Sequence, residues 1–374
     1  MHKPHKPAIR FKEFTNDWQR RRLDEVVQIT MGHSPDGKTY SNKPSKYILV
    51  QGNADLCDGW VFPRIWTTQE TKKAFEGELI MSVRAPAGAI GKTSYEVVIG
   101  RGVAAIKGNE FIYQLLSNKY NNGYWNNMSS GSTFSSLNSG DIKSASFHFP
   151  IEIEQNKIGY MFSEIDTLIT LQKRKLEKLK NIKNMLLEKM FADEKTLKPA
   201  IRFKEFTNAW EQRRLGDEVL NCKSDIEIDE IYPDGKFDLY GVNGFIGKTN
   251  KIIIKDKWLI GIVKDGSVGK VFLLPPNSSF SSTIEGLFGK NDKLTKFIFW
   301  IIKRMDLSKY FIGSTIKHLY FKQYKQSTIL IPSIHEQNKI VSSFSLIDSL
   351  ITLHQRKLEK LKNIKNMLLE KMFI

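Results

Sequence analysis

The eighteen residues RKLEKLKNIKNMLLEKMF at positions 174–191 return unchanged at 356–373. A second block, PAIRFKEFTN, stands at 7–16 and again at 199–208. Shared helical propensity produces similar composition, not identity over such lengths. The chain is therefore one unit written twice, and each copy ends in a long basic helix. Trp18 and Trp210, Arg22 and Arg214, and Leu23 and Leu215 keep the offset of the first block, 192 residues. The short block EQNKI, at 154–158 and 336–340, keeps the helix's offset of 182. Ten residues are thus missing from the middle of the second copy, and the insertions and most of the divergence fall in 24–151 and 216–332. A period this long, present twice, is not a solenoid. It predicts two homologous domains related by pseudo-two-fold symmetry.

Pro150 and Pro332 mark the start of the helix, and Glu154 and Glu336 fall in its first turn, where negative charge suits the helix dipole. From Ile158 through Phe162, Ile165, Leu176 and Leu179 to Met190 the apolar residues step by three and four, the spacing of a coiled-coil seam. Neither glycine nor proline interrupts 160–191. At 1.5 Å per residue the helix is roughly 55–60 Å long. Such a seam outruns any small domain, so the second copy is its natural partner. The two-fold relation makes that pair antiparallel. Pairing between separate chains is the competing arrangement, and it costs more entropy. The helix's lysines and arginines outnumber Glu177 and Glu188, forming either a solvated face or a partner-facing stripe.

Between the copied blocks the pattern is short and mixed. Strands are predicted at 47–50, 79–83, 95–99, 147–149, 238–242, 251–254, 258–263, 271–274 and 328–331. Helices are predicted at 110–116 and 294–305, and a loop at 118–136. The expected class is α+β: two homologous domains of mixed α/β structure separated by an antiparallel coiled coil of two long helices. The boundaries fall at 1–151 and 199–333 for the domains and 152–198 and 334–374 for the spacers.

A formal charge of +17 and a pI near 9.5 point to a polyanionic partner, most often nucleic acid. A membrane is disfavoured, since no apolar run approaches the roughly 18–20 residues of a spanning helix. The first residues lack the apolar core of a secretory signal. The two cysteines, Cys57 and Cys222, lie in non-matching positions, so no disulfide framework is expected and a reducing cytoplasm fits.

Catalytic patterns fail one by one. Three stretches, 87–93, 244–249 and 266–270, mimic a phosphate loop, but the required first glycine is replaced by Pro86, Val242 and Lys264. They read as hairpin turns presenting Lys92 and Lys270. Asp36 with Glu70 and Lys72 has the spacing of a nuclease motif, yet the second copy lacks it and PDGK is a turn sequence in its own right. None of the seven histidines has a cysteine or carboxylate at metal-ligand spacing. No catalytic or metal-binding residue is assigned.

One further pattern recurs. GSTFSSLNSGDI at 131–142 aligns with GSTIKHLYFKQY at 313–324. Gly-Ser-Thr can donate hydrogen bonds to phosphates, or simply cap a helix. Two diverged domains on a spacer of fixed length form a ruler for a split, asymmetric DNA target. Two-fold modules on one face of a duplex need centres roughly 34 Å apart, within the reach of such a rod. The DNA-contact candidates are Lys38, Lys43, Lys46, Arg84, Lys92, Arg101, Ser132 and Thr133 in the first domain. Those in the second are Lys236, Lys248, Lys264, Lys270, Ser314, Thr315, Lys317 and His318. Candidates for partner contact lie in the constant frame: Glu154, Gln155, Arg174 and Lys178, with Glu336, Gln337, Arg356 and Lys360.

The repeated GST, the strand, proline and EQNKI that follow, and the paired LITLQKRKLEKLKNIKNMLLEKMF and LITLHQRKLEKLKNIKNMLLEKMF resemble the specificity subunits of type I restriction–modification systems. The likeness covers essentially the whole chain. It implies two target recognition domains, each reading half of a bipartite double-stranded DNA sequence. It also implies constant helices that dock two modification subunits, with two restriction subunits completing the complex. No cofactor is then expected in this chain, because S-adenosylmethionine, ATP and magnesium belong to the partners. Non-specific nucleic-acid binding by a coiled-coil protein is the alternative, and a nuclease built on Asp36, Glu70 and Lys72 is a more distant one.

Overall fold

The computed structural model describes residues 6–128, 136–227 and 229–374. The chain divides into two compact units, Met1–Lys173 with Arg356–Ile374, and Arg174–Gln355. Each unit holds the first half of its own long helix and the last half of the other copy's.

In the first unit a ribbon of Gln19–Arg22 and Ser146–Phe149 brings the chain to Pro150, with Gln19 opposite Phe149. A six-stranded mixed sheet has Val103–Lys107, Leu79–Ser82 and Ile90–Lys92 at its centre. A five-stranded sheet includes Tyr47–Val50 and Val97–Ile99, which run parallel. Asn109 caps the helix Glu110–Asn121 by accepting from the amide of Ile112. That helix buries Phe111, Ile112, Leu115 and Leu116, one face of a 3.6-residue period. The core they join contains Trp18, Met81, Phe149 and Phe162, and also Leu369, Met372 and Phe373 from the end of the second long helix. Phe373 stacks on Phe111 at 5.1 Å and meets Phe162 at 5.8 Å.

The second unit repeats the plan with fewer strands. Glu211–Arg214 pairs with Thr328–Ile331. The four-stranded sheet is antiparallel throughout, in the order Val219–Lys223, Ile284–Gly289, Leu259–Val263, Val271–Leu274. A three-stranded sheet sets Phe237–Gly241 between Gly244–Thr249 and Ser278–Phe280. Asp292–Arg304 takes the place of the first unit's helix. Its Phe297 stacks on Phe191, from the end of the first long helix, at 5.6 Å.

The long helices run Glu152–Lys189 and Ile334–Met372. Their halves pair antiparallel inside each unit. In the first, Phe162 meets Phe373, and one turn on from Phe162, Asp166 meets Lys365, about two turns before Phe373. In the second, Phe344 meets Phe191 and Asp348 meets Lys183. These are the same contacts displaced by 182 residues, so the pseudo-symmetry read from the letters holds at side-chain level.

Three expectations need correction. Residues 251–254 form no strand: 251–252 are irregular and 253–254 bend, with Ile253 and Ile254 half-buried against a small core. The helix starting at Glu110 continues through Asn121, beyond the predicted end at 116. Its last turn is polar because Asn118 is buried and donates to the carbonyl of Leu369 at 3.1 Å. The strand expected from 95 begins at Val97. Among the described residues, no helix is long and apolar enough to cross a membrane, and no group of three or more His, Cys, Asp or Glu could hold a metal ion.

Candidate nucleic-acid and partner surfaces

The copied blocks build an ion pair that locks each helix to its domain. Arg10 donates from Nε and Nη2 to the two carboxylate oxygens of Glu154, both at 2.7 Å, and Trp18 Nε1 adds a third donor at 3.3 Å. Arg202 repeats the fork on Glu336 at 2.7 and 2.8 Å. Planar guanidinium and carboxylate match in this bidentate geometry, which is why arginine stands here. The hydrogen bond to Glu154 raises the Arg10 pKa above its ordinary value against the opposing effect of burial.

This changes where the partner candidates lie. Glu154 and Glu336 are buried, and their oxygens are spent on Arg10 and Arg202. They shape the frame from inside and present no surface. Gln155 bridges the carbonyl of Pro150 and the side chain of Asn109, and Gln337 is buried against the carbonyl of Pro332. Arg174, Lys178, Arg356 and Lys360 are exposed. Arg174 and Lys178 line a shallow groove with Glu177, Asn181, Ile182 and Met185.

In the second unit the structure gathers five DNA-contact candidates. The strand Leu259–Val263 runs on to Lys264 and Asp265, and Asp265 forms a backbone bridge with His318. Ile312 and His318 exchange two backbone hydrogen bonds of 2.9 Å, closing a small loop that exposes Ser314, Thr315 and Lys317. Gly313 makes that closure possible. Its φ is +93°, and a Cβ there would sit 2.1 Å from the carbonyl oxygen of Ile316. Lys264 lies 3.8 Å from Asp265. Lys270 is exposed and reaches Asn243 at 2.8 Å, two residues before the exposed Phe245 in the chain. Lys236 and Lys248 are exposed on the three-stranded sheet and its approach.

The first unit is more scattered. Arg84 is exposed and bridges Ser136; Ser132 and Thr133 lie outside the described residues. Lys38 and Arg101 are exposed around the loop 33–38, where Ser34 accepts from the Arg101 amide. Lys43 is exposed, and Lys46 lies 5.0 Å over the Tyr47 ring. Lys92 does not project from a turn. It ends the strand Ile90–Lys92, with its ammonium 2.6 Å from Glu110 and 4.4 Å from the Tyr113 ring centroid. The hairpin reading that paired it with Lys270 is corrected accordingly, because Lys270 stands before its strand and Lys92 at the end of its own.

Two members of the nuclease-like trio, Asp36 and Glu70, are occupied by local structure. Asp36 caps a short turn by accepting from the Lys38 amide. Glu70 pairs with Lys73 and accepts from Tyr47, and these contacts hold its carboxyl below the ordinary value.

Sequence reasoning did not single out Arg10 and Arg202, although both stand inside an exact copy, which was the available signal. Asp265 carried no signal of its own, because its role comes from a residue 53 positions away.

A duplicated α+β domain, each copy completed by the tail of the other copy's helix, defines the class. The type I restriction modification DNA specificity domain family matches residues 15–181 and again 208–363, and the chain belongs to that family. It is similar to two Methanocaldococcus jannaschii proteins. One is the putative type I restriction enzyme MjaX specificity subunit, 28% identical over 187 residues, 47% of this chain and 44% of that one. The other is the MjaIX specificity subunit, 25% identical over 239 residues, 56% and 52% of the two chains. The matches span about half the length of these curated relatives. In fold the chain is similar to a type I restriction–modification S subunit from M. genitalium, with a TM-score of 0.72 at 17% identity over 99% of both chains. A chain from a structure of type I system assembly and conformational transition gives a TM-score of 0.52 at 14% identity, over 95% of this chain and 97% of that one.

Proposed function

We propose that this chain is the sequence-recognition subunit of a type I restriction–modification complex. Each unit reads one half of an asymmetric, bipartite duplex target, and the paired helices set the gap between the halves. The carrying observation is the exact frame around diverged fillings: Asp166–Lys365 and Asp348–Lys183 are one contact made twice, while the exposed loops of the two units differ. Lysines and arginines supply affinity that weakens with salt, and loop side chains read base edges. The identical helix surfaces at Arg174 and Lys178 and at Arg356 and Lys360 dock two modification subunits, which bring two restriction subunits. The chain itself performs no catalysis; S-adenosylmethionine, ATP and magnesium act in the partners, in the cytoplasm.

Selection from a random duplex pool tests this reading, with the chain alone and with modification subunits. A split motif with a constant gap is expected. Binding without preference in both conditions, falling smoothly with salt, would instead establish a non-specific nucleic-acid-binding protein.

A further inference from the structure

Both units carry the same backbone bridge at the same place, filled by different side chains. In the first, Arg84 bridges Ser136, and the Leu137 amide donates to Val83 at 2.9 Å. In the second, Asp265 bridges His318, and the Leu319 amide donates to Lys264 at 3.0 Å. The turns beside the two bridges also correspond. Gly88 donates to Ser82 at 2.8 Å and Gly269 to Val263 at 2.9 Å. Arg84 and Asp265 are therefore structural equivalents, as are Ser136 and His318. A structural requirement at this place would hold the side chains alike. Here the backbone is alike and the side chains differ in charge and hydrogen-bonding sense, as a reading position requires.

The side chains present have definite reading chemistry. Arg84 is exposed and makes no ion pair among the described residues. Its guanidinium offers two parallel donors, the complement of guanine O6 and N7. In the second unit Asp265 Oδ1 lies 2.6 Å from His318 Nδ1. A carboxylate only accepts, so Nδ1 carries a proton. In the neutral ring Nε2 is then an acceptor. The ring is held parallel to that of Tyr320, within 6°. An acceptor in the major groove reads an exocyclic amine, N4 of cytosine or N6 of adenine.

We propose that this matched bridge is a base-reading position in each unit: Arg84 selects guanine, and His318, set by the positioning residue Asp265, selects the amino group of cytosine or adenine. The inference rests on the DNA-reading function proposed above. The test is selection from a random duplex pool by the full chain with modification subunits, comparing wild type with Arg84→Gln, His318→Leu and Asp265→Leu. Arg84→Gln should cut guanine preference at one base pair of one half-site by about tenfold or more. His318→Leu should do the same at one base pair of the other half-site. Asp265→Leu frees the imidazole tautomer, so it should relax that same base pair toward bases presenting an acceptor. In each variant the untouched half-site serves as the folding control. Unchanged motifs, effects on both half-sites, or His318 and Asp265 variants acting at different base pairs would overturn the inference. A wild-type chain that selects no motif would overturn the proposed function instead.

Discussion

Asp166 and Lys365 stand 199 residues apart in the chain and 2.6 Å apart in the fold. Asp348 and Lys183 make the same ion pair at 2.5 Å in the other unit. Each acidic partner comes from the early part of one long helix and each lysine from the late part of the other. The pair therefore fixes direction and register together: a parallel arrangement, or a slip of one turn, would leave both carboxylates without their lysines.

Because both members remain partly exposed, the bridge contributes little to stability by itself. Asp166→Asn or Lys365→Met should each cost about 0.5–1 kcal/mol. The charge-swapped double variant, Asp166→Lys with Lys365→Asp, should recover part of that loss. Denaturant midpoints in a double-mutant cycle measure the coupling; a coupling of zero would remove the pair from the account of register.

The buried carboxylate of Glu154 is a different case. Glu154→Ala leaves the nearly buried Arg10 without its counter-ion, which should cost about 3–5 kcal/mol. Replacing both, Arg10→Met with Glu154→Leu, should cost much less, because no uncompensated charge remains. Thermal or urea unfolding of the two variants decides it, and equal losses would contradict the burial seen here.

Truncating Phe373 to alanine removes a ring that touches Trp18, Phe111 and Phe162. The expected loss is about 3–5 kcal/mol, felt in the first unit. Phe191→Ala should produce the same loss in the second, through Trp210, Phe297 and Phe344. Amide hydrogen exchange resolves the two units, and protection should fall mainly in the unit that lost its ring.

On the function proposed above, charge reversal on the exposed helix surface should separate partner binding from DNA reading. Arg174→Glu with Lys178→Glu should leave complexes holding one modification subunit, and adding Arg356→Glu with Lys360→Glu should leave none. Native mass spectrometry counts the subunits, while thermal stability of the isolated chain should change little.

Acid should loosen the joints between helix and domain. Glu13 and Glu205 are held below their ordinary pKa of 4.5, first by hydrogen bonds from Lys157 and Lys339. A depressed folded-state pKa means their contribution is complete above pH 4.5 and lost as pH falls through the lowered value. Unfolding midpoints followed downward from pH 5 should therefore decline, and Glu13→Gln with Glu205→Gln should flatten that decline.

The sites show the limits of reading residue by residue. Glu154 in a helical first turn reads as a surface charge complementing a dipole, and it is buried because Arg10, 144 residues away, forks onto it. Lys92 follows a glycine like a turn residue, and Glu110 and Tyr113 hold it against a helix. The strand Gln19–Arg22 has four exposed polar residues and no alternation of its own; it is a strand because Ser146–Phe149 pairs with it.

What the letters alone determined was the internal symmetry, the two long helices and their antiparallel pairing. Exact copying and a spacing of three and four are local properties that survive without coordinates. Tertiary structure alone decided which half-helix completes which core, which charges face solvent, and that the Arg84–Ser136 bridge of one unit recurs as Asp265–His318 in the other. Those outcomes depend on contacts between residues tens to hundreds of positions apart, and burial and hydrogen-bond geometry at such contacts are not encoded in any one stretch of sequence.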